Sequence, residues 1–326
     1  MKIAIIDDYQ RATPSLRCME RLADHELVVF SEPELDDARF AARLEGCEVL
    51  LMIQQRSKLS RARVEALPRS VALICNTGRS VGHIDLEACA ARGLVVCSAG
   101  GGRPWAVAEL TWALILASMR HIPAEVAGLR AGRWQTTLGE GLHGKRLGIY
   151  ALGRIGTEVA RVGAAFGMQV CCWGRAGTEA RARELGYAFA PSRERFFAEA
   201  DVLSLHLPLN QHTRGIVGAE DLARMQPTAL LVNTSRAELI AEGALLEALD
   251  AGRPGAAAVD VYEREPVLGG EHPLLARDNV LCTPHLGYVE RDTYETYFSG
   301  AVDCILAYAS GRPIHVVPPT GPGKSA

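Results

Sequence analysis

Residues Leu147–Arg175 read LGIYALGRIGTEVARVGAAFGMQVCCWGR, and the pattern of this stretch decides the fold. Leu147–Tyr150 is a short apolar run that stops at Ala151-Leu152-Gly153-Arg154-Ile155-Gly156. Apolar residues then recur at Ile155, Val159, Val162 and Phe166, steps of three and four that predict a helix. Gly167 stands where a C-cap would, and Met168–Cys172 is apolar again. Strand, glycine turn, helix and strand together form the unit that binds a dinucleotide. Its glycines let the backbone approach a pyrophosphate, and the helix N-terminus offers unpaired N–H groups and a positive dipole end. The fingerprint here is A-x-G-x-x-G, with Ala151 in the place of the first glycine. A carboxylate at the end of the second strand would hold the ribose 2′-OH of NAD(H). Gly174 and Arg175 stand there instead, and a guanidinium suits a 2′-phosphate. NADP(H) is therefore the expected cofactor and NAD(H) the alternative, unless Arg175 is only a solvated surface arginine.

Outward from this stretch, 326 residues are too many for one ordinary core and suit two domains. A composition of 48% hydrophobic and 22% charged residues is that of a globular protein. The net charge of −3, with no stripe of lysine or arginine, argues against nucleic acid and anionic membrane as partners. The nine cysteines are odd in number and never spaced C-x-x-C. Their usage fits a reducing cytosol and argues against disulfides and a metal site. Vicinal Cys171 and Cys172 face opposite sides of a strand and read as packing. The opening Met1-Lys-Ile-Ala-Ile-Ile-Asp-Asp8 reads as a strand rather than a signal peptide. The apolar helix Trp105–Met119 is too short to cross a bilayer and carries Glu109, so the cytoplasm is the expected location.

Up to Cys97 the chain alternates apolar runs (Ile3–Ile6, Leu27–Phe30, Val49–Ile53, Val71–Cys75, Leu94–Cys97) with helical patterns such as Leu35–Leu44 and Ile84–Ala91. That rhythm implies βαβ units and a parallel sheet. Ser98–Pro104 is a glycine-rich candidate hinge. Trp105–Arg120, apolar all round, and Pro123–Trp134 read as helices buried partly in the core and partly at a subunit interface, hence a homodimer. From Gly144 to Gly287 the alternation restarts, with further strands at Val202–Leu207, Ala229–Asn233, Ala256–Val261 and Val280–Cys282. Helical patterns cover Ala219–Arg224, Glu242–Ala251 and finally Glu290–Ser310, and the tail from Pro318 reads as disordered. The expected class is α/β, with two Rossmann-like, doubly wound domains.

Three polar segments follow apolar strands of the second half: Asn233-Thr-Ser-Arg236, Asp260-Val-Tyr-Glu-Arg-Glu-Pro266 and Thr283-Pro-His285-Leu-Gly287. Ligands of an open α/β sheet bind at such strand ends. Arginine clamps a carboxylate bidentately. Histidine gives a proton to a carbonyl oxygen, and a carboxylate keeps that imidazole oriented and charged. Taken singly, each residue also reads as an ordinary surface or structural group; together they form the set that handles a 2-oxo acid.

At these segments the sequence resembles the D-isomer-specific 2-hydroxyacid dehydrogenases, nearly throughout, from Met1 to about Val317. The markers are ALGRIG at 151–156, HLPL at 206–209 with Thr213-Arg-Gly215, LLVNTSR at 230–236, AVDVYEREP at 258–266 and NVLCTPHLG at 279–287. The resemblance implies that Arg236, Glu265 and His285 are the catalytic trio, with Glu265 rather than Glu263 before Pro266. It implies cofactor contacts from Ala151, Leu152, Gly153, Arg154, Ile155, Gly156, Gly174 and Arg175, and from Leu207, Pro208 and Thr213. Thr234, Ser235, Arg236, Asp260, His285 and Gly287 complete that lining, with Asp260 at the nicotinamide end. It further implies a substrate domain at 1–99 and 288–326, flavodoxin-like and completed by the last helix, and a dinucleotide domain at 100–287, with the active site in the cleft between them and hinges near 98–103 and 287–290. The substrate side would involve Arg56, Arg79, Ser80, Arg236 and His285, acting on a small 2-oxo or 2-hydroxy acid.

Departures from the family pattern cluster on that side. In Asn76-Thr-Gly-Arg-Ser-Val-Gly82, the loop expected to receive the substrate carboxylate on backbone N–H groups, Arg79-Ser80 replace a small residue and glycine. Ala237 replaces a glycine and Arg103 an asparagine. The extra arginine suits a second acidic group on the substrate, or else it faces water. His206 reads as support for the HLPL turn. A glyoxylate or hydroxypyruvate reductase, or a phosphoglycerate dehydrogenase without regulatory domain, fits best. The alternatives are a corepressor-like NAD(H) sensor of the same fold and, with no motif behind it, an NAD-dependent hydrolase.

Overall fold

The N-terminal apolar runs form β1 (Lys2–Ile6), β2 (Glu26–Val29), β3 (Val49–Met52), β4 (Leu73–Asn76) and β5 (Val95–Ser98) in a computed structural model that describes residues 1–319. They make one parallel sheet in the order β2-β1-β3-β4-β5, the flavodoxin-like arrangement. Parallel neighbours require crossovers, supplied here by helices Asp37–Arg43, Arg61–Ala66 and Leu86–Ala91. Each starts at a side-chain cap. Asp36, Ser60 and Asp85 accept the backbone N–H groups of Arg39, Arg63 and Ala88. The caps explain why the first helix starts at Asp37, two residues later than the apolar spacing from Leu35 suggests. Ile3, Ile5, Leu50, Leu51, Leu73 and Ile74 are fully buried, as a parallel sheet covered on both faces requires. The helix Arg291–Ala309 buries Phe298, Val302 and Ile305 in this unit, which comprises Met1–Gly102 and the described chain from Glu290.

Arg103–Val289 forms the second unit. Its strands are β6 (Arg146–Tyr150), β7 (Gln169–Trp173), β8 (Ala188–Phe189), β9 (Val202–Leu205), β10 (Leu230–Asn233), β11 (Ala256–Val259) and β12 (Val280–Cys282). The order β12-β11-β10-β9-β6-β7-β8, all parallel, is that of a doubly wound dinucleotide-binding sheet. The chain leaves β6 in one direction through β7 and β8, then returns to its other side as β9. That reversal opens a crevice at the carboxyl ends of β6 and β9. Leu147, Ile149, Cys172, Val202 and Val232 pack on one face with Trp112 and Ile115 of the helix Pro104–Met119. Tyr150, Phe196, Phe197, Leu203 and Leu231 pack on the other, and Cys171 lies against them. The vicinal cysteines are therefore packing groups on opposite faces.

Two departures from the sequence reading have physical causes. Helices Thr178–Glu184 and Arg193–Glu199 and the two-residue β8 have too few apolar positions to show a period. The segment expected as helix Pro123–Trp134 runs Ile122–Arg130 and ends before Gly132, whose φ is +76°. The helix Pro104–Met119 buries Trp112, Leu114 and Ile115, but leaves Trp105 57% exposed. The expectation for the tail, from Thr320 onward, lies outside the described residues. Among those residues, no helix is long and apolar enough to cross a membrane.

Candidate active site

The glycine turn is built by close approach. A Cβ at Gly156 would lie 2.3 Å from the Ala151 carbonyl oxygen, and one at Gly163 would lie 2.3 Å from Leu147 Cδ2. Helix Arg154–Ala165 therefore rests directly on β6. Gly153 caps this helix with no side-chain hydrogen bond, and the space a Cβ would take there is open. The first-turn N–H groups consequently have no side-chain cap, as a pyrophosphate-binding turn requires. Ala151 sits at φ +74°, the left-handed region, where a Cβ costs about 1–2 kcal/mol. The chain accepts that strain in the place of the first glycine. At the end of β7 a Cβ on Gly174 would meet Thr178 Oγ1 at 2.6 Å, so this corner is shaped around a glycine. Arg175 is exposed and has no ion pair among the described residues.

After β9, His206 Nε2 and Ser204 Oγ are 2.9 Å apart, and burial lowers the imidazole pKa to about 4. A neutral histidine thus underpins the turn. Leu207 is buried and Pro208 exposed. Thr213 Oγ1 closes the turn by donating to the Pro208 carbonyl at 2.6 Å and accepting from Asn210 N–H at 2.8 Å.

The neighbouring strands β10, β11 and β12 each end in one of the three polar segments. Asn233 holds the first, donating to the Arg236 carbonyl (2.8 Å) and accepting from Ser235 N–H (3.0 Å). Ser235 Oγ donates to the Leu205 carbonyl, and Thr234 shares a hydrogen bond with Thr111. The half-buried Arg236 donates from Nη1 to the Ser235 carbonyl at 2.6 Å. Asp260 is fully buried, and its carboxylate accepts from Thr283 Oγ1 (2.6 Å), Leu286 N–H (2.7 Å) and Gly287 N–H (2.9 Å). Burial raises its pKa against these bonds and the charge of His285. Asp260 thereby fixes the loop that holds His285 at φ +53°.

His285 Nδ1 lies 2.6 Å from Glu265 Oε2, and Glu265 Oε1 accepts Tyr262 N–H at 2.9 Å. Burial alone would raise the Glu265 pKa. The hydrogen bond to His285, its charge, the Tyr262 N–H and the charge of Arg236 outweigh it, so the carboxyl titrates below its usual range. With Nδ1 turned to this carboxylate, Nε2 is the nitrogen left to face a reactant. Glu263 instead pairs with His272 at 3.1 Å. Glu265 and His285 are thus in direct contact, with Arg236 in electrostatic reach. Sequence reasoning missed the holders of this arrangement: Asn233, Tyr262 and Thr283. Their only signal is a polar type placed directly after, or within a few residues of, an apolar strand.

In the first unit, the loop after β4 has its carbonyls turned inward. Asn76 Nδ2 donates to the Gly78 and Ser80 carbonyls (2.9 Å each), and Ser98 Oγ donates to those of Gly78 (2.8 Å) and Arg79 (3.2 Å). In a trans peptide the following N–H points the opposite way. The N–H groups of Arg79, Ser80 and Val81 therefore face outward, with no acceptor among the described residues. The neighbouring loop is laced to this one through Gln54 N–H to Thr77 Oγ1 (3.0 Å) and Gln55 Nε2 to Ser80 Oγ (2.8 Å). Arg56 donates to the Asp7 carbonyl (2.7 Å), Gln10 Oε1 (3.2 Å) and Tyr294 OH (2.7 Å), and lies over the Tyr9 ring.

Comparison with known proteins agrees with this geometry. The NAD binding domain of the D-isomer specific 2-hydroxyacid dehydrogenases matches residues 112–287. A glyoxylate reductase of Aeropyrum pernix is 39% identical over 73% of this chain and 72% of its own. A phosphoglycerate oxidoreductase structure from Vibrio cholerae superposes with a TM-score of 0.91 at 45% identity, over 95% of this chain and 99% of that one. A D-lactate dehydrogenase of Aquifex aeolicus, solved with NAD and lactic acid, superposes with a TM-score of 0.75 at 26% identity, over 95% and 96%. The chain belongs to the D-isomer specific 2-hydroxyacid dehydrogenase family and is a nicotinamide-dependent oxidoreductase of 2-hydroxy and 2-oxo acids.

Proposed function

We propose that the chain is a cytoplasmic, NADP(H)-preferring reductase that converts a small 2-oxo acid to its D-2-hydroxy acid, working as a homodimer. The observation that carries this reading is the Glu265–His285 pair at 2.6 Å, under the charge of Arg236, at the carboxyl end of the sheet that also carries the glycine turn. When bound, the reduced nicotinamide is the source of the hydride that C2 accepts. His285 protonates the carbonyl oxygen from Nε2, and Glu265 holds the imidazole oriented and charged until the proton leaves. Arg236 clamps the substrate carboxylate and stabilises the developing alkoxide. The outward N–H groups of residues 79–81 form a row suited to a carboxylate. Oxidation of the hydroxy acid runs the same steps backward, with His285 as base. Consumption of NADPH and of NADH with glyoxylate, hydroxypyruvate, pyruvate and a bulky 2-oxo acid tests the reading. A chain that turns over none of them is not this reductase.

The preference for NADP(H) rests on Gly174 and Arg175. No carboxylate is present to meet a ribose 2′-OH, Thr178 crowds the position where one would grow, and an exposed guanidinium follows. Arg175→Ala removes one charge-assisted contact to the 2′-phosphate. It should lower kcat/KM for NADPH by roughly 10- to 100-fold and leave that for NADH nearly unchanged. An unaltered ratio of the two would sink the assignment. The homodimer rests on exposed apolar side chains after the hinge: Trp105, Ile122, Val126, Leu129, Trp134 (75%) and Leu138 (91%). Sedimentation should report a dimer, and a monomer at micromolar concentration would refute that part.

A further inference from the structure

We infer that Tyr262 is a positioning residue for the proposed reaction, holding Glu265 with its backbone N–H and the turn that carries His285 with its hydroxyl. The inference rests on the reductase reading above and deepens it. The Tyr262 N–H donates to Glu265 Oε1 at 2.9 Å, which leaves Oε2 for His285 Nδ1 at 2.6 Å. The Tyr262 hydroxyl donates to the Thr283 carbonyl at 3.0 Å. That same carbonyl accepts the His285 N–H, also at 3.0 Å, and so closes the turn from which the imidazole projects. One residue therefore reaches both members of the pair, the acid directly and the histidine through the carbonyl that ties its backbone. All of these groups lie within the second unit.

Tyr262 is itself held firmly. It is buried in the core with Val259 and Leu274, and its ring meets His272 edge-on with centroids 4.9 Å apart. His272 is in turn paired with Glu263. Burial pushes the phenol pKa up, so the hydroxyl stays protonated and remains a donor. Among the described residues it is the one group from outside the turn that meets the Thr283 carbonyl. The rest of Thr283 is anchored without it: the N–H donates to the Val259 carbonyl at 2.9 Å, and Oγ1 to Asp260 at 2.6 Å. The fold consequently does not need the phenol. The angle at which the turn presents His285 does, because a short hydrogen bond weakens steeply when it is bent or stretched. Misplacing a proton donor costs rate rather than binding.

The test is Tyr262→Phe, which keeps the ring, its packing and the backbone N–H and deletes only the hydroxyl. The Thr283 carbonyl keeps the His285 N–H, so no acceptor is orphaned and the variant should fold. The measurement is oxidation of NADPH or NADH in a single turnover, with whichever of glyoxylate, hydroxypyruvate and pyruvate the wild type reduces fastest. The rate constant at saturation should fall about 3- to 10-fold, while the acid concentration at half-saturation stays unchanged. In a His285→Ala background the same substitution should cost nothing further, because the hydroxyl acts only through the imidazole. In the chain without nucleotide, hydrogen exchange at the His285 N–H should speed up by a similar factor. An unchanged rate or exchange, a loss confined to half-saturation, or an equal loss with and without His285 overturns the inference and leaves the reductase intact. Wild-type turnover by His285→Ala alone, or no turnover of any acid by the wild type, overturns both.

Discussion

Replacing His285 with alanine should lower kcat by roughly 10²–10⁴-fold, the usual contribution of a positioned general acid. That corresponds to about 3–5 kcal/mol of transition-state stabilisation. The fall should appear in kcat more than in KM, because the proton transfer exists only in the transition state. Dinucleotide binding, read by quenching of tryptophan fluorescence, should survive, since the glycine turn and the Thr213 turn make no use of the imidazole. Folding should survive as well. Glu265 keeps its bond from Tyr262 N–H and is 28% exposed, so water can replace the lost partner. Wild-type turnover in His285→Ala would end the proposed mechanism. The same experiment separates an enzyme from a chain that only senses its cofactor, in which binding switches a surface and the histidine has no rate to support.

Much of this arrangement is legible in the sequence, because each element has a local cause. The strands are apolar runs, the turn is a glycine spacing, and the three polar segments stop where their strands stop. The resemblance then assigns Arg236, Glu265 and His285, and the structure places Glu265 on His285 at 2.6 Å. What could not be read depends on contacts between residues far apart in the chain. Asp260 is an example: nothing in the sequence shows that its carboxylate accepts from Thr283, Leu286 and Gly287 and so holds the loop of His285. Arg56 is another, since its guanidinium is tied to Gln10 and to Tyr294, which lies 238 positions away. The amides of the loop after β4 are expected from the resemblance, but what turns them outward is not legible, because Asn76 and Ser98 hold the carbonyls from two strands. The short helices escape notice for a different reason. Thr178–Glu184 reads TEARARE, buries only Ala182, and so carries no apolar period.

The second large effect is expected at Arg236. Substitution by glutamine removes two charge-assisted hydrogen bonds to the substrate carboxylate, each worth about 1.5–3 kcal/mol. A fall in kcat/KM of at least about 10²-fold follows, with KM raised as well as kcat lowered, because the carboxylate is held in both ground and transition states. Lysine keeps the charge and loses the planar fork, so Arg236→Lys should lie between glutamine and the wild type. The two variants differ again in their response to pH. The charge of Arg236 is among the influences that hold the Glu265 carboxyl below its usual range, against burial, which raises it. Without that charge the Glu265 pKa rises, and the carboxylate that orients His285 is protonated at a less acidic pH. The acid-side loss of kcat/KM should therefore begin at higher pH in Arg236→Gln, whereas Arg236→Lys should keep its wild-type position. If glutamine and lysine give the same rate and the same acid limb, Arg236 neither forks a carboxylate nor acts on Glu265. The guanidinium would then be only a support for the turn after β10, where it already meets the Ser235 carbonyl.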